Sequence, residues 1–326
     1  MHAELPTFLK TGTLINARYR ILSKLGQGST GAVYLAEHTQ LKTLLALKAV
    51  TPSPDANGSI EKALEQCRLE GEILMPLNHP HLPRVFDAFV EQGRFFLVME
   101  YIPGVSLSQQ LRFSGEEFLE VADVVNWGIQ LAQVLAYLHD QSPAIIFRDI
   151  KPANVMLQPD GNIRLIDFGI ARRCFGKEQT SVEQVGSIGY SPPEQYRPQP
   201  LDSRADNYAL GATLHHLITG RLPAERPFVF PPAHTLNAKV PPALSELLDW
   251  CLAVEPSARP QSMEQIQNEL EAIRDMMHAN TLTQKLPPLE VPPSAPRVRK
   301  GFFGFSWRSP FVRSVPSHSR TQGAFL

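Results

Sequence analysis

The stretch Gly26-Gln27-Gly28-Ser29-Thr30-Gly31 narrows the possible folds more than any other part of this chain. A G-x-G-x-x-G run either opens a helix after a strand or links two strands, and its flanks decide which. Here Tyr19 to Leu25 precedes it, and Ala32-Val33-Tyr34-Leu35-Ala36, an apolar strand-like run, follows. The loop therefore predicts a strand–turn–strand unit, not the strand–helix crossover of a dinucleotide-binding sheet. An ordinary hairpin turn would read the same way, so the motif alone assigns nothing further.

The pattern around the loop changes character once. Strands are expected at Tyr19 to Leu25, Ala32 to Glu37 and Leu44 to Val50, each bounded by turn residues. A helix over residues 59–77 follows, with apolar Ala63, Leu69, Ile73, Leu74 and Leu77. Strands Arg84 to Phe89 and Phe95 to Glu100 come next, joined at Gln92-Gly93. Beyond Pro103-Gly104 the chain reads as mostly helical. Phe118, Val121, Val125, Ile129, Ala132, Leu135 and Leu138 recur every three or four residues, the mark of one buried helix face. The fold class expected is α+β, a small strand-rich lobe followed by a larger helical one.

Composition sets outer limits. The chain has 326 residues, 43% hydrophobic and 19% charged, enough for a substantial core. Lys and Arg total 31 against 32 Asp and Glu, so no global field favours nucleic acid. No segment approaches the roughly 18 apolar residues of a membrane span, and the first residues lack a secretory pattern. Cys67, Cys174 and Cys251 lie far apart without a C-x-x-C pair. That argues against a disulfide framework and suits a reducing, cytoplasmic compartment. From Thr281 onward the composition shifts to seven prolines, seven basic residues and one acid, a net charge of +6. This Pro-rich tail (281–326) reads as a disordered basic appendage.

Several motifs then fall in order. Lys48 lies in the apolar strand Leu45-Ala46-Leu47-Lys48-Ala49-Val50 and would be hard to bury without an anionic partner, which Glu70 could supply. Phe147-Arg148-Asp149-Ile150-Lys151-Pro152-Ala153-Asn154 follows, then Asp167-Phe168-Gly169 and Ser191-Pro192-Pro193-Glu194. With this set the chain resembles the eukaryotic-like protein kinases of bacteria, serine/threonine branch, over residues 15–275. The resemblance implies a two-lobed protein-kinase fold: a small antiparallel-sheet N-lobe with one helix, to about residue 102, and a mainly helical C-lobe. Residues 1–14 would be an N-terminal extension.

What the resemblance implies for chemistry can be stated residue by residue. Phosphoryl transfer needs positioning and charge neutralisation more than covalent help. Leu25, Gly26, Gln27, Gly28, Ser29, Thr30, Gly31 and Ala32 would cover the phosphates of ATP. Lys48 would hold the α/β-phosphates while paired to Glu70; Glu65 and Glu72 are rivals, but Glu70 stands nine residues before His79-Pro80, as in the family. Val33, Ala46 and Met156 would sandwich the adenine, the backbone of Glu100 and Ile102 would meet its edge, and Met99 would back the pocket. Asn154 and Asp167 would bind Mg²⁺, with Mn²⁺ as the alternative metal. Asp149 would orient the acceptor hydroxyl and Lys151 would steady the γ-phosphate. Glu194 would pair with Arg259, and Asp206 would brace the catalytic loop.

The expected function is transfer of the γ-phosphoryl group of ATP to serine or threonine of proteins. The alternative is a pseudokinase or nucleotide-binding scaffold. Phe147 stands where the family has histidine, which predicts packing against Phe168 and Leu74 without the polar contact. Arg148 suggests control by phosphorylation after Asp167, at Thr180, Ser181 or Ser187. His215-His216 on a helix cannot share a metal easily, and Cys174 beside Arg172-Arg173 is read as an ordinary loop cysteine. The segment Pro223 to Pro242 is proline-rich where the family has a substrate-docking helix. The tail, with Arg297-Val298-Arg299-Lys300 before Phe302-Phe303, Phe305 and Trp307, would make at most weak contact with an anionic membrane or an acidic partner.

Overall fold

The computed structural model describes residues 8–28, 31–51, 59–167, 187–197 and 201–285, with side chains as far as residue 279. The chain divides into two units, Met1–Gln284 and Lys285–Leu326. All but the first residue of the second lies outside the described residues, and with it the tail expectation. Phe168, Gly169, Cys174, Thr180, Ser181, Ser29 and Thr30 also fall outside them.

The first unit opens with a six-stranded antiparallel sheet. Its strands are β1 (Leu14–Ile15), β2 (Tyr19–Gly28), β3 (Gly31–His38), β4 (Leu44–Val50), β5 (Val85–Glu91) and β6 (Arg94–Glu100), in the order β1-β2-β3-β4-β6-β5. The glycine loop is thus a hairpin between β2 and β3, with Gly28 facing Gly31. Gly31 has a steric reason to lack a side chain: a Cβ there would lie 2.1 Å from the Ala49 carbonyl oxygen. The β5–β6 turn places both Gln92 (φ 49°) and Gly93 (φ 69°) in the left-handed region, the geometry a two-residue hairpin prefers.

Strand β4 reads as an unbroken apolar run because both of its faces are covered. Leu45, Leu47 and Ala49 join Tyr34, Ala36, Phe96 and Val98 in one cluster, while Ala46 and Val50 face the main core with Leu97 and Met99. Lys48 shares the latter face by alternation. Against that face packs α1 (Ile60–Leu74), capped by the Ser59 hydroxyl accepting from Lys62 N–H. Its buried stripe is Ala63, Cys67, Gly71 and Leu74. Leu69 and Ile73, apolar like the stripe, are 49% and 41% exposed. Close packing decides this: a Cβ on Gly71 would sit 2.9 Å from the Ala88 Cβ, so small residues, not large ones, let the helix approach the sheet.

The helical part centres on α3 (Val121–His139), preceded by the short β7 (Val105–Ser106) and α2 (Leu107–Phe113). Strands β8 (Val155–Leu157) and β9 (Ile163–Leu165) pair with β7 in a three-stranded sheet. Helix α4 (Arg204–Thr219) is buried from Ala205 to Thr219, which suits a core helix apolar on more than one face. Gly128 of α3 meets Leu214 of α4 and Leu270 of α7 (Met263–Lys285). In the proline-rich segment a 3₁₀ turn at Pro223–Glu225 and α5 (Ala233–Leu236), one turn long, stand before α6 (Pro242–Cys251). Among the described residues no helix is long and apolar enough to cross a membrane.

The cysteines depart from expectation. Cys67, fully buried on α1, is disulfide-bonded, whereas Cys251 is a buried free thiol whose ionisation burial pushes up to about 12. Separation along the chain had argued against a disulfide framework or a cysteine zinc site, but it does not fix separation in a fold.

Candidate functional site

The site is built on the loop between α3 and β8. Asp206, wholly buried in the first turn of α4, accepts from the backbone N–H of Phe147 and of Arg148, both at 2.8 Å, and lies 2.8 Å from His139 Nε2. That clamp holds Arg148 with φ at 69°, a conformation a side chain rarely adopts unaided. Thr213 adds a hydroxyl to the Ile150 carbonyl at 3.2 Å. The loop is thereby fixed by side chains of α3 and α4 rather than by strand pairing.

Asp149 follows directly and is itself saturated. Asn154 Nδ2 donates to its carbonyl oxygen at 2.8 Å and its Oδ2 at 3.0 Å, and Lys151 Nζ reaches Oδ2 at 3.0 Å. Ser187 completes the set. Its hydroxyl donates to Asp149 Oδ1 at 2.8 Å and accepts from Lys151 Nζ at 2.7 Å. Sequence reasoning had offered Ser187 as a phosphorylation candidate and missed this contact, which only the return of the chain from residue 187 creates. An alcohol hydroxyl on Oδ1, with an ammonium beside both, is the arrangement that positions an acceptor hydroxyl for attack.

Opposite stands Lys48, its side chain 9% exposed, ion-paired to Asp167 Oδ1. The β8–β9 hairpin carries Asn154 and Asp167 at one end, with Ile166 N–H donating to the Asn154 carbonyl at 2.8 Å. Glu70, expected as the partner of Lys48, lies on α1, the helix packed on the Lys48 face of the sheet. The rival Glu65 and Glu72 instead both grip Arg68 on the same helix.

Around the cleft, Val33 stands beside Lys48 in register, and Ala46 beside Met99. Ala46, Met99 and Ile102 are buried, while Met156 on β8 is half-buried and Leu25 exposed. Glu100 N–H donates to the Arg84 carbonyl at 2.8 Å, so the carbonyl is the backbone group it could offer a ligand. Phe147 is 3% exposed within the same core cluster as Leu74. Farther out, Glu194 and Arg259 form a buried two-pronged pair, 2.6 and 2.8 Å. Arg259 also donates to the carbonyls of Ala253, Val254 and Arg204 and lies over the Tyr208 ring, so its whole fork is used. His215 and His216 are both buried; burial holds the His216 ring down to about 4, and its Nδ1 lies 2.6 Å from the Tyr190 hydroxyl.

The sequence pattern of the protein kinase domain matches residues 19–270. The chain belongs to the protein kinase domain family. Its kinase domain is 30% identical over 281 residues to serine/threonine-protein kinase PrkC of Bacillus subtilis, covering 82% of this chain and 42% of that protein. It is 33% identical over 252 residues to serine/threonine-protein kinase PknF of Mycobacterium tuberculosis, covering 74% and 51%. Among solved structures the kinase domain is similar to the PpkA-294 apo form (TM-score 0.69, 26% identity, 81% of this chain and 100% of that one). It is also similar to the Mycobacterium tuberculosis PknI kinase domain (TM-score 0.65, 27% identity, 81% and 99%). The chain spans about half the length of the curated relatives it matches.

Proposed function

We propose that this chain transfers the γ-phosphoryl group of ATP to serine or threonine hydroxyls of protein substrates. The observation that carries the reading is the Ser187 hydroxyl on Asp149 Oδ1 with Lys151 bridging both. It is a protein hydroxyl already lodged where an acceptor hydroxyl would be oriented. In this reading Asp149 takes the acceptor's hydrogen bond, and Lys151 offsets charge developing on the transferred group. Lys48 meets the α/β-phosphates. Residues 25–32 cover the phosphates with backbone, and Val33, Ala46, Met156, Glu100 and Ile102 receive the base.

The residues present also fit a divalent ion. Asn154 spends its Nδ2 on Asp149, which leaves Oδ1 as a donor oxygen, and the Asp167 side chain is 43% exposed. Two protein oxygens suit Mg²⁺, which keeps waters and phosphate oxygens in its remaining positions. Bound there, the ion would neutralise phosphate charge. Mn²⁺ fits the same donors. The cytoplasmic location and the membrane or acidic-partner contact of the tail belong to this proposal as well. Labelled ATP, Mg²⁺ and a generic basic protein, assayed beside Asp149→Asn, test it. Phosphoserine or phosphothreonine formed by the native chain alone supports the reading, and equal labelling by both proteins refutes it.

A further inference from the structure

We infer that the cavity where the connection leaving α1 meets β5, β6 and β9 is a binding site for a small monocarboxylate with an apolar body. The inference does not depend on the kinase reading. The cavity holds about 440 Å³, within the size range of small-molecule sites. Leu77 and Leu82 give it buried apolar surface, and Phe86, on the edge strand β5, lines it while 49% exposed.

What sets the cavity apart is a surplus of hydrogen-bond donors. Arg164 of β9 is fixed in place, with Nε donating to Gln158 Oε1 at 3.0 Å and Nη1 to the Leu82 carbonyl at 2.9 Å. Glu100 Oε2, 3.8 Å from Nη1, is too far for a hydrogen bond. A guanidinium carries five N–H groups. With two used, three on Arg164 have no acceptor among the described residues, although the side chain is only 21% exposed. Arg84 lines the same cavity with a second, exposed guanidinium. Its backbone is pinned by Glu100, whose N–H donates to the Arg84 carbonyl at 2.8 Å and whose Oε2 accepts the Arg84 N–H at 3.2 Å. His79 is a neutral ring, pushed down to about 4 chiefly by burial. Its Nδ1 accepts from the His81 N–H at 3.2 Å, so its proton sits on Nε2 as a further donor.

These groups call for a ligand that only accepts. Two guanidiniums and one carboxylate leave the lining with one net positive charge, which a single anionic charge balances. A carboxylate meets a guanidinium fork in two-pronged fashion. A phosphate dianion would exceed the charge available and stand close to Glu100. The apolar body follows from Leu77, Leu82 and Phe86, which an inorganic anion would leave uncovered. Such a ligand would tie the exit of α1 to β9, because Arg84 immediately precedes β5 and Arg164 lies on β9.

The test uses the full chain with phenylacetate as the probe, and phenylacetamide and inorganic phosphate as controls. Titration calorimetry should find one phenylacetate site with a Kd below about 1 mM. Loss of the charge-assisted bonds should make the amide roughly tenfold weaker. Arg164→Lys keeps the charge but not the fork, and should weaken phenylacetate by roughly tenfold. Arg84→Gln, at an exposed position, should also weaken it and keeps the test open should Arg164→Lys fail to fold. Bound phenylacetate should slow hydrogen exchange across residues 77–84 and Ile163–Leu165. No binding up to about 10 mM overturns the inference. So does equal affinity for acid and amide, equal binding by the native chain and Arg84→Gln, or protection confined to other segments. Phosphate binding tighter than phenylacetate overturns it too, because the site would then select a bare oxyanion.

Discussion

The two halves of the site are held in different ways. Around Asp149 nearly every constraint is polar: Asp206 grips two backbone N–H groups, and Asn154, Lys151 and Ser187 surround one carboxylate. Around Lys48 the helix is seated by apolar packing, with small side chains on α1 meeting β5 and β6, and the Lys48–Asp167 ion pair reaches across the cleft. Networks of satisfied hydrogen bonds admit one geometry, and losing a member leaves a buried group unpaired. Packed small residues fix distance but let a helix slide or tilt at lower cost. The lower half is therefore built for position, and the upper half for adjustment.

The sharpest way to break this contrast is to neutralise one charge in each half. Asp149→Asn should lower phosphotransfer by roughly 10³-fold or more while leaving nucleotide affinity nearly intact. Lys48→Met should lower phosphotransfer comparably but weaken nucleotide binding too. Initial rates and equilibrium binding of a nucleotide analogue, measured on both variants, separate the cases. A variant Asp149→Asn with near-native turnover would remove the polar half from the mechanism.

Next in size is the buried pair that anchors the polar half from below. Glu194→Ala leaves the Arg259 guanidinium, 0% exposed, without its carboxylate. Stranding a buried charge costs about 3 kcal/mol or more, which urea unfolding would register. A loss under 1 kcal/mol would mean that the carbonyls of Ala253, Val254 and Arg204 suffice for Arg259.

The apolar half has its own counterpart. Gly71→Ala places a methyl 2.9 Å from the Ala88 Cβ and 3.0 Å from Phe95 Cζ. Overpacking of this kind costs roughly 1–3 kcal/mol, and α1 should shift more than the Asp149 loop does. Hydrogen exchange resolved by segment would show whether the disturbance stays in α1.

These contrasts explain what the sequence made legible. The strands, α3 and the order of motifs could be read because each is local: alternation, a three-to-four-residue period, or contiguous residues. The Arg259–Glu194 and Asp206 assignments came from the family resemblance. Three features escaped. The inward face of α1 carried no mark in the sequence, because Leu69 and Ile73 are as apolar as Leu74 until the sheet's approach at Gly71 is known. The ion pair of Lys48 with Asp167 joins residues 119 apart along the chain, which only the fold brings together. The bond at Cys67 had no local signal at all.

A pH titration probes the packing outside both halves. Burial holds His216 at about 4, well under its ordinary value of 6.5. The unfolded chain therefore takes up a proton that the folded chain refuses. Stability contributed by the neutral ring is present above about pH 6.5 and is lost as pH falls toward 4. His216→Gln, whose amide can still hydrogen-bond the Tyr190 hydroxyl, should flatten that acid limb by at most about 1.4 kcal/mol per pH unit. Urea midpoints at pH 7 and pH 5 for both proteins supply the comparison; an unchanged slope would assign the limb to other groups, His79 and His215 first.

The smallest effect is expected where the polar half relies on packing. Phe147 gives its N–H to Asp206, but its ring lies in the apolar cluster with Leu74, 3% exposed. The backbone contact does not depend on the side chain, and the Asp206 carboxylate is already shared by two N–H groups and His139. A histidine at this position, the usual residue in the family, keeps ring volume approximately but brings a nitrogen that must find a partner. Phe147→His should therefore change phosphotransfer by less than about tenfold, a barrier change under roughly 1.4 kcal/mol. Steady-state rates at saturating ATP measure this directly. A gain of a hundredfold would instead identify Phe147 as a brake. The polar half would then be incomplete as it stands, and the contrast between positioning below and adjustment above would have to be redrawn with the loop itself as the adjustable part.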